Sequence, residues 1–318
     1  MRVKIGPIII GAVACLVLSS NVYAANKTHI TDTLGAGNSK MDIGFGINGG
    51  TGKSSILFSG SSTTLNIDSK VSGYTLSAGY SLGITDRLDV SVSAPLFVKQ
   101  KSTTELPSNT TTSVKTEGQG DVTLSAQYLV LEKQQDKISW LVRGVISPST
   151  APADEGVAEV TVNGTVTLQG KTAKPGRGYT RTGFATALAI PTSIGDAVFA
   201  ASYDGGGERT SSGITRKYGD TKAFNLYLES MINERTTLTP CIGYSMFGAG
   251  TYGAQNVPSN SSYSLGIGLT HDVSKAFSIQ ANTIYSIQKE TTYTNIYGSK
   301  ITTSGNSYGL SLSTLFFF

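Results

Sequence analysis

The stretch Leu88-Asp-Val-Ser-Val-Ser-Ala-Pro-Leu-Phe-Val98 decides the fold, because apolar and polar residues alternate along it. One face carries apolar side chains, from Leu88, Val90, Val92, Ala94, Leu96 and Val98. The other face carries Asp89, Ser91 and Ser93. Successive side chains of a β-strand point to opposite sides, so this period of two predicts a strand with one apolar and one polar face.

The same alternation returns along the rest of the chain. It predicts strands at 40–58, 64–82, 86–98, 119–132, 137–148, 179–190, 196–207, 218–231, 235–248, 261–272, 275–288 and 305–318. We therefore expect an all-β chain of about 12 antiparallel strands, an even number of the kind found in single-chain barrels.

The connections between these strands are alternately short and long. Short ones lie near 85–86, 133–136, 191–195, 232–234 and 273–275, and long ones near 59–63, 99–118, 149–178, 208–217, 249–260 and 289–304. Short turns on one rim and long loops on the other are typical of outer-membrane barrels. We expect residues 40–318 to form a single transmembrane β-barrel with periplasmic N- and C-termini. A secreted β-sandwich is the alternative, disfavoured because its strands are usually shorter.

The first 24 residues have the pattern of a secretory signal peptide. Basic Arg2 and Lys4 precede an apolar run, and small residues suited to cleavage end at Ala24. The run is shorter than the roughly 20 residues of a membrane-spanning helix. We expect cleavage after Ala24, followed by a periplasmic tail at 25–39. A lipoprotein cut before Cys15 is the less favoured alternative.

Composition limits the classes of function. The chain has 25 basic and 21 acidic residues, and only 14% of it is charged. No strong positive field attracts nucleic acid, so we expect no nucleic-acid partner. Low charge without a long apolar run fits strands that face lipid on one side only.

The inward face of the expected barrel consists mostly of small polar residues. Its larger polar residues are the candidate lumen-lining side chains: Asp42, Asp89, Asp121, Gln127, Arg143, Arg181 and Glu229. Arg143, Arg181 and Glu229 either pair across the lumen and stiffen it, or form a constriction that orients a small solute. The loop at 149–178 and the tail at 25–39 are two further candidate constrictions, since loops of such length are usually functional or disordered.

Catalytic and metal-binding patterns are weak in this sequence. The chain has two histidines, His29 in the tail and His271 beside a short turn, and no cluster of His, Cys or carboxylates at metal-ligand spacing. The glycines at Gly44, Gly46 and Gly49 match a dinucleotide fingerprint, but no helix follows them. The sequence therefore predicts no catalytic residues, no metal, no cofactor and no enzyme.

The last segment alternates in the same way up to Phe318. Leu310, Leu312, Phe316 and Phe318 share its apolar face. This ending resembles the C-terminal signature of bacterial outer-membrane proteins, which implies that the barrel-assembly machinery reads these four residues.

Two longer stretches resemble a named family. They are Tyr80-Ser-Leu-Gly-Ile-Thr-Asp-Arg-Leu-Asp-Val-Ser-Val-Ser-Ala-Pro-Leu-Phe97 and Gly120-Asp-Val-Thr-Leu-Ser-Ala-Gln-Tyr-Leu-Val-Leu131. Both are similar to the outer-membrane family named after the MetA pathway of phenol degradation. The resemblance implies a channel or transporter that passes small, often aromatic or hydrophobic, molecules passively, with membrane lipids and the solute as partners. A closed structural or surface-interaction barrel is the alternative, and an outer-membrane hydrolase is disfavoured.

Overall fold

The computed structural model describes residues 30–132, 138–154, 156–211, 214–295 and 297–318. The expected signal peptide 1–24, His29 and the short turn 133–136 lie outside the described residues. The strands are β1 (Ser39–Leu57), β2 (Thr64–Thr85), β3 (Leu88–Leu106), β4 (Thr110–Gly118), β5 (Thr123–Leu131), β6 (Ser139–Ser147), β7 (Ala153–Asp154), β8 (Glu159–Val162), β9 (Thr165–Leu168), β10 (Lys174–Pro175), β11 (Arg181–Thr192), β12 (Gly195–Asp204), β13 (Gly207–Ser211), β14 (Ile214–Tyr218), β15 (Thr221–Asn233), β16 (Thr236–Phe247), β17 (Gly250–Tyr252), β18 (Gln255–Val257), β19 (Asn260–Ser274), β20 (Phe277–Thr294) and β21 (Lys300–Phe317). Within the described ranges, no helix has the length and apolarity needed to cross a membrane.

Twelve of the strands close into one antiparallel barrel. Their order around the ring is β1, β2, β3, β5, β6, β11, β12, β15, β16, β19, β20 and β21, and β21 pairs with β1. At the seam, the backbone N–H of Phe318 donates to the Ser39 carbonyl at 2.9 Å, and Ser39 N–H donates back at 3.0 Å. Closure removes the open edges of the sheet. The predicted twelve-stranded barrel is confirmed, while the periplasmic position of its termini stays a prediction.

The outer surface of the barrel is apolar. Large side chains that a water-soluble protein would bury are exposed, among them Phe45, Phe184, Phe224, Leu265, Ile287 and Leu310. Aromatic rings meet across neighbouring strands, as between Tyr74 and Phe97, whose centroids lie 6.0 Å apart. A continuous apolar exterior of this extent needs lipid around it, as expected of a transmembrane barrel.

The two rims of the barrel differ. The short-turn rim holds the turns that follow Thr85, Thr192, Asn233 and Ser274, and the ends of the barrel at Ser39 and Phe317. The opposite rim, here called the long-loop rim, carries the remaining strands. There β4, β8 and β9 extend the barrel sheet beyond β3, β7 pairs with β10, and β13, β14, β17 and β18 form a four-stranded sheet.

Several barrel strands extend beyond the predicted bounds. β3 continues to Leu106 rather than ending at 98, and β20 reaches Thr294 instead of 288. The segment 99–118 is thus a hairpin of β3 and β4 rather than an irregular loop, and β8 of the 149–178 loop pairs with β4. These segments are rich in threonine, whose branched side chain favours strands even where the apolar alternation stops.

A bulge in β3 corrects the predicted side-chain alternation. Ser77 aligns with Pro95 and Leu76 with Phe97, so Leu96 is an extra residue in β3. Proline has no N–H to donate to the ladder and is found in sheets at such irregularities. Beyond the bulge the two faces exchange, so Phe97 lies on the outer face beside Tyr74, and Val98 does not share the face of Leu88 as the sequence predicted.

Candidate functional site

The barrel encloses a cavity of about 640 Å³. Its lining extends from Ile30 and Lys40 at the short-turn rim to Tyr252 and Tyr293 at the long-loop rim. The walls between them are mainly small polar residues of the inward strand faces, such as Ser91. This volume lies within the roughly 300–1,000 Å³ of sites that bind small molecules.

Five of the seven candidate lumen residues line this cavity: Asp42, Asp89, Gln127, Arg143 and Arg181. Asp121 and Glu229 are not part of the cavity lining, although only 6% and 2% of their surfaces are exposed. Their carboxylates instead accept backbone N–H groups from the 149–178 loop and from the N-terminal tail. Strand alternation places such side chains on the inner side, but it does not show which of them are covered by another segment.

The N-terminal tail crosses the short-turn end of the barrel. The backbone N–H of Ile30 donates to both carboxylate oxygens of Glu229, at 2.9 and 3.2 Å. The N–H of Leu34 donates to the carboxylate of Asp89, at 3.0 and 3.2 Å. Asp89 lies on β3 and Glu229 on β15, with four strands between them on one side of the ring and six on the other. The tail therefore spans the lumen near its full width.

Further contacts fix both ends of this tail segment. Ile30 packs against the inward apolar cluster that contains Ala187, Ala189 and Val198. At the other end, the hydroxyl of Thr33 donates to the Asp86 carbonyl at 2.7 Å, and Ala36 N–H donates to the Asp86 carboxylate at 3.1 Å. The turn at Asp86 is thus a docking point for the tail.

Three polar residues of the cavity wall have defined partners on neighbouring strands. Arg181 forms an ion pair with Asp204, in which Nε donates at 3.0 Å. Arg143 donates from Nη2 to the Ser125 hydroxyl at 2.8 Å. Gln127 donates to the Asp89 carboxylate at 2.8 Å. Each of these contacts joins neighbouring strands and leaves the centre of the barrel to the cavity.

The 149–178 loop is fixed at both ends by Asp121. One carboxylate oxygen accepts the N–H groups of Thr150 and Ala151, both at 2.9 Å, and the other accepts that of Arg177 at 2.7 Å. Of the described residues of this loop, Pro175, Gly176 and Arg177 line the cavity. The loop therefore contributes its last residues to the cavity rather than closing it as a whole.

Two side chains of the 149–178 loop have shifted pKa values. The N–H of Gly156 and the ammonium of Lys171 lower the pKa of the Asp154 carboxyl, to which Arg209 adds a weaker positive field. Burial lowers the pKa of Arg177, and the nearby positive charge of Arg181 adds to that effect. Arg177 is therefore close to a second arginine.

Several residues of the cavity lining were not predicted from the sequence. They are Lys40 at the short-turn rim and a set of loop residues, Arg177, Tyr179, Arg209, Arg216, Tyr218 and Tyr252. The turn-forming pair Ser212-Gly213, with Arg209 and Arg216 at equal distances on its two sides, could have indicated the hairpin of β13 and β14. Its position over the lumen depends on pairing with β17, which no local pattern encodes.

His271 and Cys241, two residues of types used in catalysis, lie apart from each other, and only the cysteine lines the cavity. His271 is exposed on the outer side of β19, where its Nδ1 lies 3.0 Å from the Thr236 hydroxyl. Cys241 lines the cavity and is a free thiol. In the described ranges, no group of three or more His, Cys, Asp or Glu residues could hold a metal ion.

Comparison with solved structures relates the fold to outer-membrane proteins. The COG4313 outer membrane channel from Pseudomonas putida F1 matches with a TM-score of 0.55 at 13% identity, over 91% of this chain and 98% of that one. This likeness shows that the chain has the fold of an outer-membrane barrel.

Two other solved structures are less similar. The CymD monoaromatic hydrocarbon channel has a TM-score of 0.47 at 12% identity, over 92% of this chain and 91% of that one. A Pseudomonas aeruginosa FadL homologue has a TM-score of 0.47 at 10% identity, over 87% of this chain and 90% of that one. No family model and no curated protein matches the sequence.

Proposed function

We propose that this protein is an outer-membrane channel that passes small hydrophobic or aromatic molecules, with the N-terminal tail as its gate at the short-turn end. The observation that carries the proposal is the cavity between the two rims, which ends at the tail residue Ile30. A barrel with a purely structural role has no need for a cavity of this size, since its own side chains can fill the interior.

The proposal that the tail acts as a gate is based on the contacts that hold it. Its backbone is bound at two distant strands by Glu229 and Asp89, through four donor–acceptor contacts. These contacts join the tail, which is not part of the barrel sheet, to the side chains of two barrel strands. The tail can therefore leave the lumen without breaking any barrel ladder.

Comparison supports the solute class in the proposal. The names of CymD and of the COG4313 protein describe a monoaromatic hydrocarbon channel and an outer membrane channel. The resemblance of Tyr80–Phe97 to the MetA-pathway family points the same way. We extend both to this chain as proposals, together with its outer-membrane location and the recognition of Leu310, Leu312, Phe316 and Phe318 by the assembly machinery.

The test has two parts. Purified full-length protein in planar bilayers is expected to give discrete conductance steps. The double variant Glu229→Gln and Asp89→Asn is expected to give these steps more often than the wild type. Outer-membrane vesicles that contain the protein are expected to take up radiolabelled toluene faster than vesicles without it. The protein is expected to increase the rate of glucose uptake by a smaller factor. Absence of steps in both the wild type and the double variant, with unchanged toluene uptake, would identify a closed barrel and overturn the proposal.

A further inference from the structure

Six residues at the long-loop rim bring cations and aromatic rings together on the cavity wall. We call them the Arg–Tyr cluster: Arg177, Tyr179, Arg209, Arg216, Tyr218 and Tyr252. Arg177 comes from the end of the 149–178 loop, Tyr179 lies between that loop and β11, and the others come from β13, β14 and β17. All six are half-buried.

Two of the arginines lie directly opposite each other. Arg209 on β13 aligns with Arg216 on β14, and Arg216 also aligns with Tyr252 on β17. Like charges at directly opposite positions destabilise a pair of strands. The neighbouring register pair, Glu208 with Lys217, lies on the other face of the hairpin and has opposite charges. Arg209 and Arg216, the like-charged pair, both line the cavity.

The guanidinium of Arg216 lies among tyrosine rings. Its Cζ is 4.5 Å from the ring centroid of Tyr252 and 5.9 Å from that of Tyr218, within range of a cation–π interaction. Tyr179 stacks on Tyr218, with centroids 5.2 Å apart and planes at 27°. A Cβ on Gly207 would lie 2.0 Å from the Tyr179 ring, so only glycine admits the ring at this position.

Among the described residues in and near the cluster, positive side chains outnumber carboxylates. Two carboxylates lie near it on the barrel wall, Asp121 and Asp204, and Asp204 is bonded to a further arginine, Arg181. Asp154 also lies near Arg209, but it forms an ion pair with Lys171 at 3.1 Å. Among the described residues, Nη2 of Arg209 is buried without a hydrogen-bond partner. A buried donor without an acceptor is costly, so this site is suited to an anion.

We propose that the Arg–Tyr cluster binds a small aromatic carboxylate, whose carboxylate group contacts Arg209 and Arg216 and whose ring packs against the tyrosines. Guanidinium groups bind carboxylates through two parallel hydrogen bonds, and tyrosine rings offer stacking surfaces. A neutral hydrocarbon would leave the buried Nη2 of Arg209 without an acceptor. An aliphatic acid would leave the rings without a stacking partner. The inference rests on the proposed channel, since it names a solute class for the same cavity.

Three probes of similar size separate these contributions. They are benzoate, the neutral ring benzyl alcohol, and the non-aromatic acid cyclohexanecarboxylate, each measured by equilibrium dialysis against the full-length protein in detergent. Benzoate is expected to bind about tenfold more tightly than either of the others. Equal binding of benzoate and cyclohexanecarboxylate would reduce the cluster to a general anion site and overturn the aromatic part of the proposal.

Substitutions then assign the contacts. Arg209→Gln and Arg216→Gln are each expected to weaken benzoate binding about tenfold and to leave benzyl alcohol binding unchanged. Tyr252→Leu should weaken benzoate more than cyclohexanecarboxylate. Arg235→Gln is the matched control, because Arg235 is exposed at the opposite rim. If a glutamine variant fails to fold, Arg209→Lys and Arg216→Lys retain the charge but lose the paired geometry, and we expect about a threefold loss.

Some outcomes contradict this inference without affecting the channel. Unchanged benzoate affinity in the variants at Arg209 and Arg216 would show that the cluster only stabilises the packing of the hairpin. Conductance steps without preferential benzoate binding would also overturn the cluster's proposed role and leave the channel intact. Benzoate binding to a protein that gives no conductance and no toluene uptake would instead overturn the proposed function and leave a binding site.

Discussion

Glu229, in the wall of the barrel, accepts the backbone N–H of Ile30 in the N-terminal tail, at 2.9 and 3.2 Å. Hydrogen bonds to an ionised group contribute about 1.5–3 kcal/mol, roughly twice those of neutral pairs. Asp89 makes the equivalent contacts with Leu34 on the far side of the lumen. Together the two carboxylates determine how firmly the tail is held.

Neutral isosteres of these two carboxylates should loosen the tail. Glu229→Gln and Asp89→Asn keep the shape of each side chain and remove the charge, so each should weaken the attachment by about 1 kcal/mol. The double variant should then increase the released fraction by roughly thirtyfold, which single-channel recording would detect as longer open times. Glu234→Gln, at an exposed turn of the same rim, is the control. Open times equal to those of the wild type would exclude the tail as a gate.

The ion pair of Arg181 with Asp204 should contribute to the stability of the barrel. Their side chains are only 14% and 27% exposed, so Arg181→Ser leaves a largely buried carboxylate without its partner and should cost about 3 kcal/mol. Adding Asp204→Ser should recover most of that loss. Urea unfolding from lipid vesicles measures both. The control is Lys222→Ser, in an exposed pair 3.8 Å from Asp220, with an expected cost below about 1 kcal/mol. Equal costs would contradict the stabilising role of the buried pair.

The strand alternation around Leu88 and Tyr263 was sufficient to predict the barrel. A period of two identifies each strand and its lipid-facing side, and short turns give the direction of the chain. The bulge at Pro95 could not be read in the same way, because alternation assumes one residue per step and a bulge inserts an extra one. Residues beyond it, such as Val98, were therefore assigned to the wrong face.

The candidate site was predictable only where a strand supplied it. Asp42 and Arg143 line the cavity because alternation places them on the inner side. Arg209 and Tyr252 line it because separate loop strands pair with one another over the rim, and such pairing between distant segments leaves no local pattern. The tail contacts of Glu229 depend in the same way on a partner 199 residues away.

The single cysteine of the described residues offers a probe of the lumen. Cys241 lines the cavity, so a methanethiosulfonate reagent added to open channels should attach there and reduce the conductance. Cys241→Ser should be unaffected by the same reagent. If the tail blocks access from the short-turn side, the reagent should react faster with the Glu229→Gln and Asp89→Asn double variant than with the wild type. Equal rates from both sides in both proteins would contradict the position of the tail.

The seam between the first and last strands depends on the contact of Gly49 with Tyr308. The two residues are register partners, and a Cβ on Gly49 would lie 2.5 Å from the Tyr308 ring. Such packing of an aromatic ring over a glycine stabilises a strand pair. Gly49→Ala should therefore displace the ring and destabilise the barrel by about 1–2 kcal/mol.

Gly46→Ala is the matched control for this seam. It lies on the same strand, but its Cβ would approach no atom closer than 3.7 Å. The temperature at which the folded band disappears in gel electrophoresis without boiling measures both variants. We expect Gly49→Ala to lower that temperature and Gly46→Ala to leave it unchanged, since only the first substitution forces Tyr308 from the seam. An equal decrease in both would show that loss of glycine in β1, rather than loss of the ring contact, weakens the closure.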